Sequence, residues 1–296
     1  MDLDRDGRRD ILSGSYSRQS NDMAGLFQVL YGKADGTFRK AEVLKGTDGE
    51  PLIIPVRSKP GQGDDWINNI CTRPFAVDWD GDGDLDLVVG TFSGLFYLFK
   101  GQGEGKFLPK PDQLKAGEQP LKVEGHHGDP FVIDWDGDGD LDVLSGSSEG
   151  GVQWAENRAG PGKLPVLEPF RMLIMRGPQI ESDSILRDAD LKGPLSSTRI
   201  WVDDVNSDGK LDILVGDLTT LTTLISPADK VAEGEVKQKF ANWQKALTEA
   251  SVAMNSPGSD QKKSNKARER YQNLYTQRSE FMKEERTGFV WLYLRK

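Results

Sequence analysis

The chain has 296 residues, of which 36% are hydrophobic and 29% are charged, with 33 glycines, 15 prolines and a formal net charge of −9. This composition is typical of a soluble, turn-rich globular protein, and no run approaches the roughly 18 consecutive apolar residues of a membrane helix. The acidic balance argues against a nucleic-acid partner, because nucleic-acid binding requires a basic patch or stripe.

Four aspartate-rich segments recur along the chain and begin at Asp2, Asp78, Asp134 and Asp204. They read DLDRDGRRDILSG, DWDGDGDLDLVVG, DWDGDGDLDVLSG and DVNSDGKLDILVG, and their starts lie 76, 56 and 70 residues apart. An apolar run precedes the second, third and fourth segments. After each segment and a turn, a further apolar run begins at one of four glycines: Gly25, Gly94, Gly150 and Gly288.

This pattern predicts the fold. Short apolar runs bounded by Gly, Asp and Pro are typical of four-stranded antiparallel units, and tandem units of this kind form the blades of a β-propeller. We therefore predict an all-β propeller with about four to five visible blades, which can belong to a larger ring. The predicted domains are blades over residues 1–226, a helical hairpin over 227–286 and a final strand over 287–296. A β-sandwich of similar strands is the alternative fold.

The segments also predict metal sites. Oxygen-bearing side chains fall at positions 1, 3, 5 and 9 of each segment, glycine at position 6 allows a sharp turn, and position 7 is expected to contribute its carbonyl oxygen. The predicted ligands are Asp2, Asp4, Asp6, Arg8 and Asp10; Asp78, Asp80, Asp82, Asp84 and Asp86; Asp134, Asp136, Asp138, Asp140 and Asp142; and Asp204, Asn206, Asp208, Lys210 and Asp212.

The expected cofactor is Ca²⁺, with about three to four ions, because this flexible mixture of carboxylate and carbonyl oxygens suits calcium better than magnesium. Zinc and copper are disfavoured because nitrogen and sulfur ligands are absent from the loops. An EF-hand would place glutamate at position 12, but this position holds serine or valine within strand-like runs. The remaining alternative is that Asp and Gly form ordinary polar turns.

The four segments resemble the FG-GAP/VCBS repeats of integrin α-subunit heads and many bacterial surface proteins, over residues 1 to about 225 and the final strand. The resemblance implies a propeller whose Asp-rich loops join the first two strands of a blade and bind Ca²⁺. It also implies an extracellular, cell-surface or periplasmic location and a non-catalytic scaffold that binds a protein or a glycan. A propeller-fold polysaccharide lyase or hydrolase is the alternative function, with His126 as the first candidate catalytic residue.

The composition changes between residues 227 and 286, where glycine nearly vanishes and apolar residues follow a helical period. Phe240, Trp243 and Leu247 mark one helix, Tyr271 and Leu274 mark a second, and residues 255–260 form the break. With 12 Lys and Arg against 9 Asp and Glu, the insert is mildly basic. Two interpretations remain open: an arm for a partner protein or an anionic polymer, or a stripe that packs onto the propeller rim.

Three further expectations concern single residues and the chain ends. The adjacent histidines His126 and His127 are expected to have a loop or structural role, and Cys71 is expected to be buried. The first loop begins at Asp2 with no strand before it, so we expect a monomer, or a fragment of a larger chain read from an internal methionine.

Overall fold

The computed structural model describes residues 1–17, 24–56, 65–178, 184–225, 233–255, 261–280 and 282–296. The fold is mostly β, with several antiparallel sheets and two α-helices. The chain divides into two compact units. The first contains Met1–Gly177, Gly193–Leu218 and Phe289–Lys296, and the second contains Pro178–Lys192 and Thr219–Gly288.

The first unit begins with two antiparallel sheets. The first sheet has three strands in chain order: β1 (Ile11–Gly14), β2 (Phe27–Leu30) and β3 (Glu42–Val43). The second sheet has four strands in chain order: β4 (Arg73–Val77), β5 (Asp86–Gly90), β6 (Phe96–Phe99) and β7 (Asp112–Gln113). A two-stranded ribbon of β8 (Lys115–Ala116) and β9 (Gln119–Pro120) follows.

The third sheet repeats the order of the second: β10 (Asp129–Ile133), β11 (Asp142–Gly146), β12 (Val152–Ala155) and β13 (Arg171–Ile174). The fourth sheet starts with β14 (Ser196–Asp203) and the long β15 (Asp212–Leu224). The chain then forms helices α1 (Glu233–Asn255) and α2 (Gln261–Thr276) before β16 (Met282–Thr287) and β17 (Val290–Tyr293). Both β16 and β17 pair with β15, β17 with its first half and β16 with its second half.

Successive sheets of the first unit share apolar cores. Strand β5 is buried along its whole length, which explains why apolar residues follow Asp86 without interruption. Leu87 and Val89 pack with the first sheet, whereas Val88 faces the third sheet. A third cluster joins Leu144 of β11 to Ile213 of β15. Alternate residues of one strand therefore support two different neighbouring sheets.

The three junctions between successive sheets share one hydrogen-bond pattern. The residue six before each Asp loop donates its backbone N–H to the residue just after β1, β5 or β11, the strand that follows the Asp loop of the preceding sheet: Thr72 to Ser15, Gly128 to Thr91 and Thr198 to Ser147, at 2.9–3.1 Å. The preceding residue is left-handed each time, with φ of 53° at Cys71, 60° at His127 and 50° at Ser197. Cys71 is buried, as predicted.

The second unit has its own small core. Phe240, Trp243 and Leu247 of α1 are buried with Met282 of β16, and Tyr271 of α2 packs against them. The indole N–H of Trp243 donates to the carbonyl of Leu274 at 2.8 Å and so ties the two helices together. The predicted apolar stripes thus pack against each other and against strand residues of the same unit.

Strand β16 lies within the range predicted to be helical. The run TTLTTL at 219–224 is rich in β-branched residues, which favour strands, and it extends β15 to pair with MKEERT at 282–287. The predicted boundary at 226/227 lies outside the described residues. Of the predicted break at 255–260, Asn255 is the last residue of α1, and the other five residues lie outside the described residues. No helix in the described ranges has both the length and the apolar character needed to span a bilayer.

Candidate metal centres

The second, third and fourth Asp loops each connect two antiparallel strands: β4 to β5, β10 to β11 and β14 to β15. Their tight turns come from left-handed residues at positions 4 and 6. The position 6 glycines have φ between 84° and 93° in all four loops. Position 4 is also left-handed at Arg5 and Ser207, where side chains tolerate φ near 60° at some cost in strain.

The structure brings acidic side chains together in three loops. Asp2, Asp4 and Asp6 form one group, Asp78, Asp80 and Asp86 a second, and Asp134, Asp136 and Asp138 a third. Within each group, carboxylate oxygens lie within 4.8 Å of one another. Asp82 falls outside the second group, and the fourth loop contributes an amide, Asn206, where the others have a carboxylate.

Backbone N–H groups orient these carboxylates in the same way in every loop. The position 1 carboxylate accepts from the glycine at position 6, as in Gly83 to Asp78 and Gly139 to Asp134, both at 3.0 Å. The position 5 carboxylate accepts from the residue at position 7, namely Arg8, Asp84, Asp140 and Lys210. The loops therefore hold their oxygens in place before any ion binds.

The aspartate at position 9 has a structural task that the sequence analysis missed. Asp10, Asp86, Asp142 and Asp212 are all buried, with at most 6% of their surface exposed. One oxygen accepts from position 2 of the loop, and the other accepts from the end of the third strand: in Asp86, from Trp79 at 3.0 Å and Gly101 at 2.6 Å. This carboxylate thus ties the loop to a strand 15 residues away.

Nearby basic side chains offset the negative charge of the loops to different degrees. Arg8 contacts Asp6 in the first loop, and Lys100 Nζ lies 3.8 Å from Asp80 in the second. In the fourth loop, the Asn206 amide donates to Asp208 at 3.1 Å. Among the described residues, the carboxylates of Asp134, Asp136 and Asp138 have no recorded salt bridge, so the third loop has the least compensated negative charge.

One carboxylate oxygen in the second loop and one in the third have no hydrogen-bond partner among the described residues. These are Oδ1 of Asp80 and Oδ1 of Asp140, and both are buried. Both residues line a cavity of about 160 Å³ between the second and third loops. Burial raises the pKa of Asp86 and of Asp140, and it raises the pKa of Asp142 to about 6. A bound cation would favour the charged forms of these groups.

The two histidines occupy the segment before β10. His126 is exposed and His127 is half-buried, and their rings lie 5.7 and 4.6 Å from the ring of Phe92. The backbone N–H of His127 donates to the carbonyl of Phe92 at 2.8 Å. Burial, followed by the charges of Arg73, Arg199 and His126, lowers the pKa of His127 to about 4.

The low pKa of His127 predicts a pH-dependent stability. The folded pKa lies below the ordinary value of 6.5, so between pH 4 and 6.5 the unfolded chain binds a proton that the folded chain does not. This group therefore makes the protein more stable as the pH rises from 4 to 6.5, by about 1 to 2 kcal/mol after discounting for solvent screening. Melting temperatures measured across this range should show a shallower rise in His127→Gln. His126→Gln, which changes the exposed neighbouring histidine, is the control. If melting temperature rises equally with pH in the wild type and in His127→Gln, His127 is not the source of the pH dependence.

Comparison with known proteins does not assign the chain. It matches no protein-family model, and no curated protein matches it. A function is therefore inferred from the residues of the chain alone.

Proposed function

We propose that the four sheets are blades of a β-propeller and that its Asp loops bind calcium. Three similar junctions between successive sheets support this arrangement, since the second and third sheets each present one face to the sheet before and the other to the sheet after. None of the described strand pairings joins the first sheet to the fourth. The closure of the sheets into a ring is therefore part of the proposal.

The observation that carries the calcium proposal is the grouping of three carboxylates within 4.8 Å in each of three loops. Such groups repel one another unless a cation lies between them. Calcium accepts six to eight oxygens in flexible geometry, whereas magnesium requires a near-ideal octahedron. We propose the second and third loops as the strongest sites, because each contains a buried carboxylate oxygen without a hydrogen-bond partner among the described residues, and the fourth as the weakest, because Asn206 lowers its charge.

Terbium luminescence tests these sites one loop at a time. Tb³⁺ takes calcium's oxygen ligands, and the buried indoles of Trp79 and Trp135 at position 2 can sensitise its emission in the second and third loops. Asp80→Asn and Asp136→Asn should each remove the signal of about one loop, and calcium should displace terbium from the wild type. Asp112→Asn, an exposed residue of β7, is the matched control. The proposal would be refuted if both loop variants gave the same terbium emission as the wild type.

We further propose that the protein is a non-catalytic, extracellular-type scaffold that presents its loops to a protein or a glycan. Calcium-binding modules of extracellular proteins work at the millimolar calcium found outside cells. Binding to protein and glycan panels with and without calcium tests this role, and partners that bind equally well in excess chelator would count against it.

One observation favours the alternative of a polysaccharide lyase or hydrolase. Such an enzyme needs basic groups that converge on one place, and Arg73 and Arg199 both lie close enough to His127 to lower its pKa. The alternative predicts activity on uronic-acid polysaccharides that is lost in His126→Ala or His127→Ala. Absence of activity in the calcium-loaded wild type would leave the scaffold as the proposed function.

A further inference from the structure

The first strands of three successive sheets carry a ladder of charged side chains. Arg73 of β4, Asp129 of β10 and Arg199 of β14 each lie five residues before the first aspartate of their loop. Nε of Arg73 lies 3.7 Å from Oδ1 of Asp129, and Nε of Arg199 lies 3.5 Å from its Oδ2. One carboxylate is thus shared by two guanidinium groups at distances longer than good hydrogen bonds.

The single carboxylate of Asp129 balances only one of the two guanidinium charges. Nη1 of Arg73 is buried and has no hydrogen-bond partner within the described part of the chain. Burial, followed by the charge of Arg199, lowers the pKa of Arg73, and burial raises the pKa of Asp129. By contrast, the close pair of Arg187 and Asp190 raises the pKa of its arginine. The ladder therefore keeps an excess positive charge in a chain whose net charge is −9.

A row of aromatic rings runs beside the ladder. Residues two apart on a strand share a face, so Phe75, Phe131 and Trp201 lie on the same faces as the three charged residues. Ring centroids are 4.8 Å apart between Phe75 and Phe131 and 5.4 Å apart between Phe131 and Trp201. Trp201 meets Phe131 edge-on and remains 57% exposed, and 44% of the Arg199 side chain is exposed beside it.

We propose that Arg199 and Trp201, together with the Arg73 side chain, which is 21% exposed, form a binding site for a sugar acid. The carboxylate of the sugar pairs with the guanidinium groups, and its ring stacks on the indole. Planar guanidinium groups match carboxylates in geometry, and an exposed indole offers an apolar face to the C–H side of a sugar. The aromatic row beside the charges favours a saccharide over an acidic peptide, which needs no such platform. The site lies outside the Asp loops, so the inference does not depend on calcium binding.

Isothermal titration of the calcium-supplemented full chain with glucuronate, glucose, acetate and a tetra-aspartate peptide tests the site. Glucuronate should bind more tightly than the other three probes. Arg199→Gln and Trp201→Ala should each weaken glucuronate binding by about tenfold or more, because each removes a charged hydrogen bond or a stacking contact. Tryptophan fluorescence should change on binding in the wild type and lose that change in Trp201→Ala.

The matched control is Arg171→Gln. Arg171 also lies over an indole, that of Trp154 at 4.2 Å, but its charge is paired with Glu156 at 2.8 Å. This variant should bind glucuronate like the wild type. Circular dichroism melting of each variant separates lost binding from lost folding. If Arg199→Gln does not fold, Trp201→Ala still tests the site, because it changes an exposed side chain. No glucuronate binding by the wild type, equal binding by Arg199→Gln and wild type, or tighter binding of the peptide would each overturn the proposal.

Discussion

Chelation of calcium is expected to lower the melting temperature of the protein by about 10–20 °C. An ion that binds only the folded state stabilises it by about 2.7 kcal/mol at a hundredfold excess over its dissociation constant. If the second and third loops are both filled, the two ions contribute about 5 kcal/mol, and each kcal/mol corresponds to about 2–4 °C for a domain of this size. Calorimetry with EGTA, followed by the return of calcium, measures the effect.

Magnesium at the same concentration is the control for this experiment. It should restore little of the lost stability, because a small cation that demands six regularly placed ligands fits the loops poorly. Asp136→Asn should lower the melting temperature in calcium but change it little in EGTA, since its effect acts through the ion. Identical melting with and without EGTA would show that the loops are ordinary polar turns.

The repeated segments predict the local architecture well. The strand that follows each loop and the strand after the next turn lie where the repeat places them, as β5 and β6 show. The sequence does not predict β16, because MKEERT is charged and follows a helical stretch, and only its pairing with 219–224 makes it a strand.

The role of position 9 could not be read from the sequence for a related reason. Asp86 resembles the other loop aspartates in sequence, and only its hydrogen bond to Gly101 shows that it also holds a distant strand. The ladder of Arg73, Asp129 and Arg199 was missed because its members are 56 and 70 residues apart. Interactions between sheets depend on which strands become neighbours, and a repeat pattern alone does not specify side-chain contacts across that distance.

The glycine at position 13 of each Asp-rich segment shows how such a contact shapes the sequence. Gly14, Gly90, Gly146 and Gly216 occupy the same place in the four repeats, and none has a positive φ. A Cβ atom on Gly90 would lie 2.2 Å from the carbonyl oxygen of Gly128, which belongs to the segment entering the third sheet. The first and third of these glycines meet the following sheet in the same way, at 1.8 and 2.3 Å.

Gly90→Ala is therefore expected to destabilise the protein by about 3 kcal/mol or more, because its methyl group meets backbone atoms that cannot move without separating two sheets. The melting temperature should fall by about 6–12 °C. Gly216→Ala is the matched control: only the carbonyl oxygen of Arg199 lies near, at 4.0 Å, so this variant should melt like the wild type or slightly higher. Thermal unfolding of the two variants shows whether glycine is needed because the next sheet comes close or because of the backbone conformation. Equal losses would mean that the position requires glycine for its backbone conformation, and the close approach of successive sheets would then not be the reason for it.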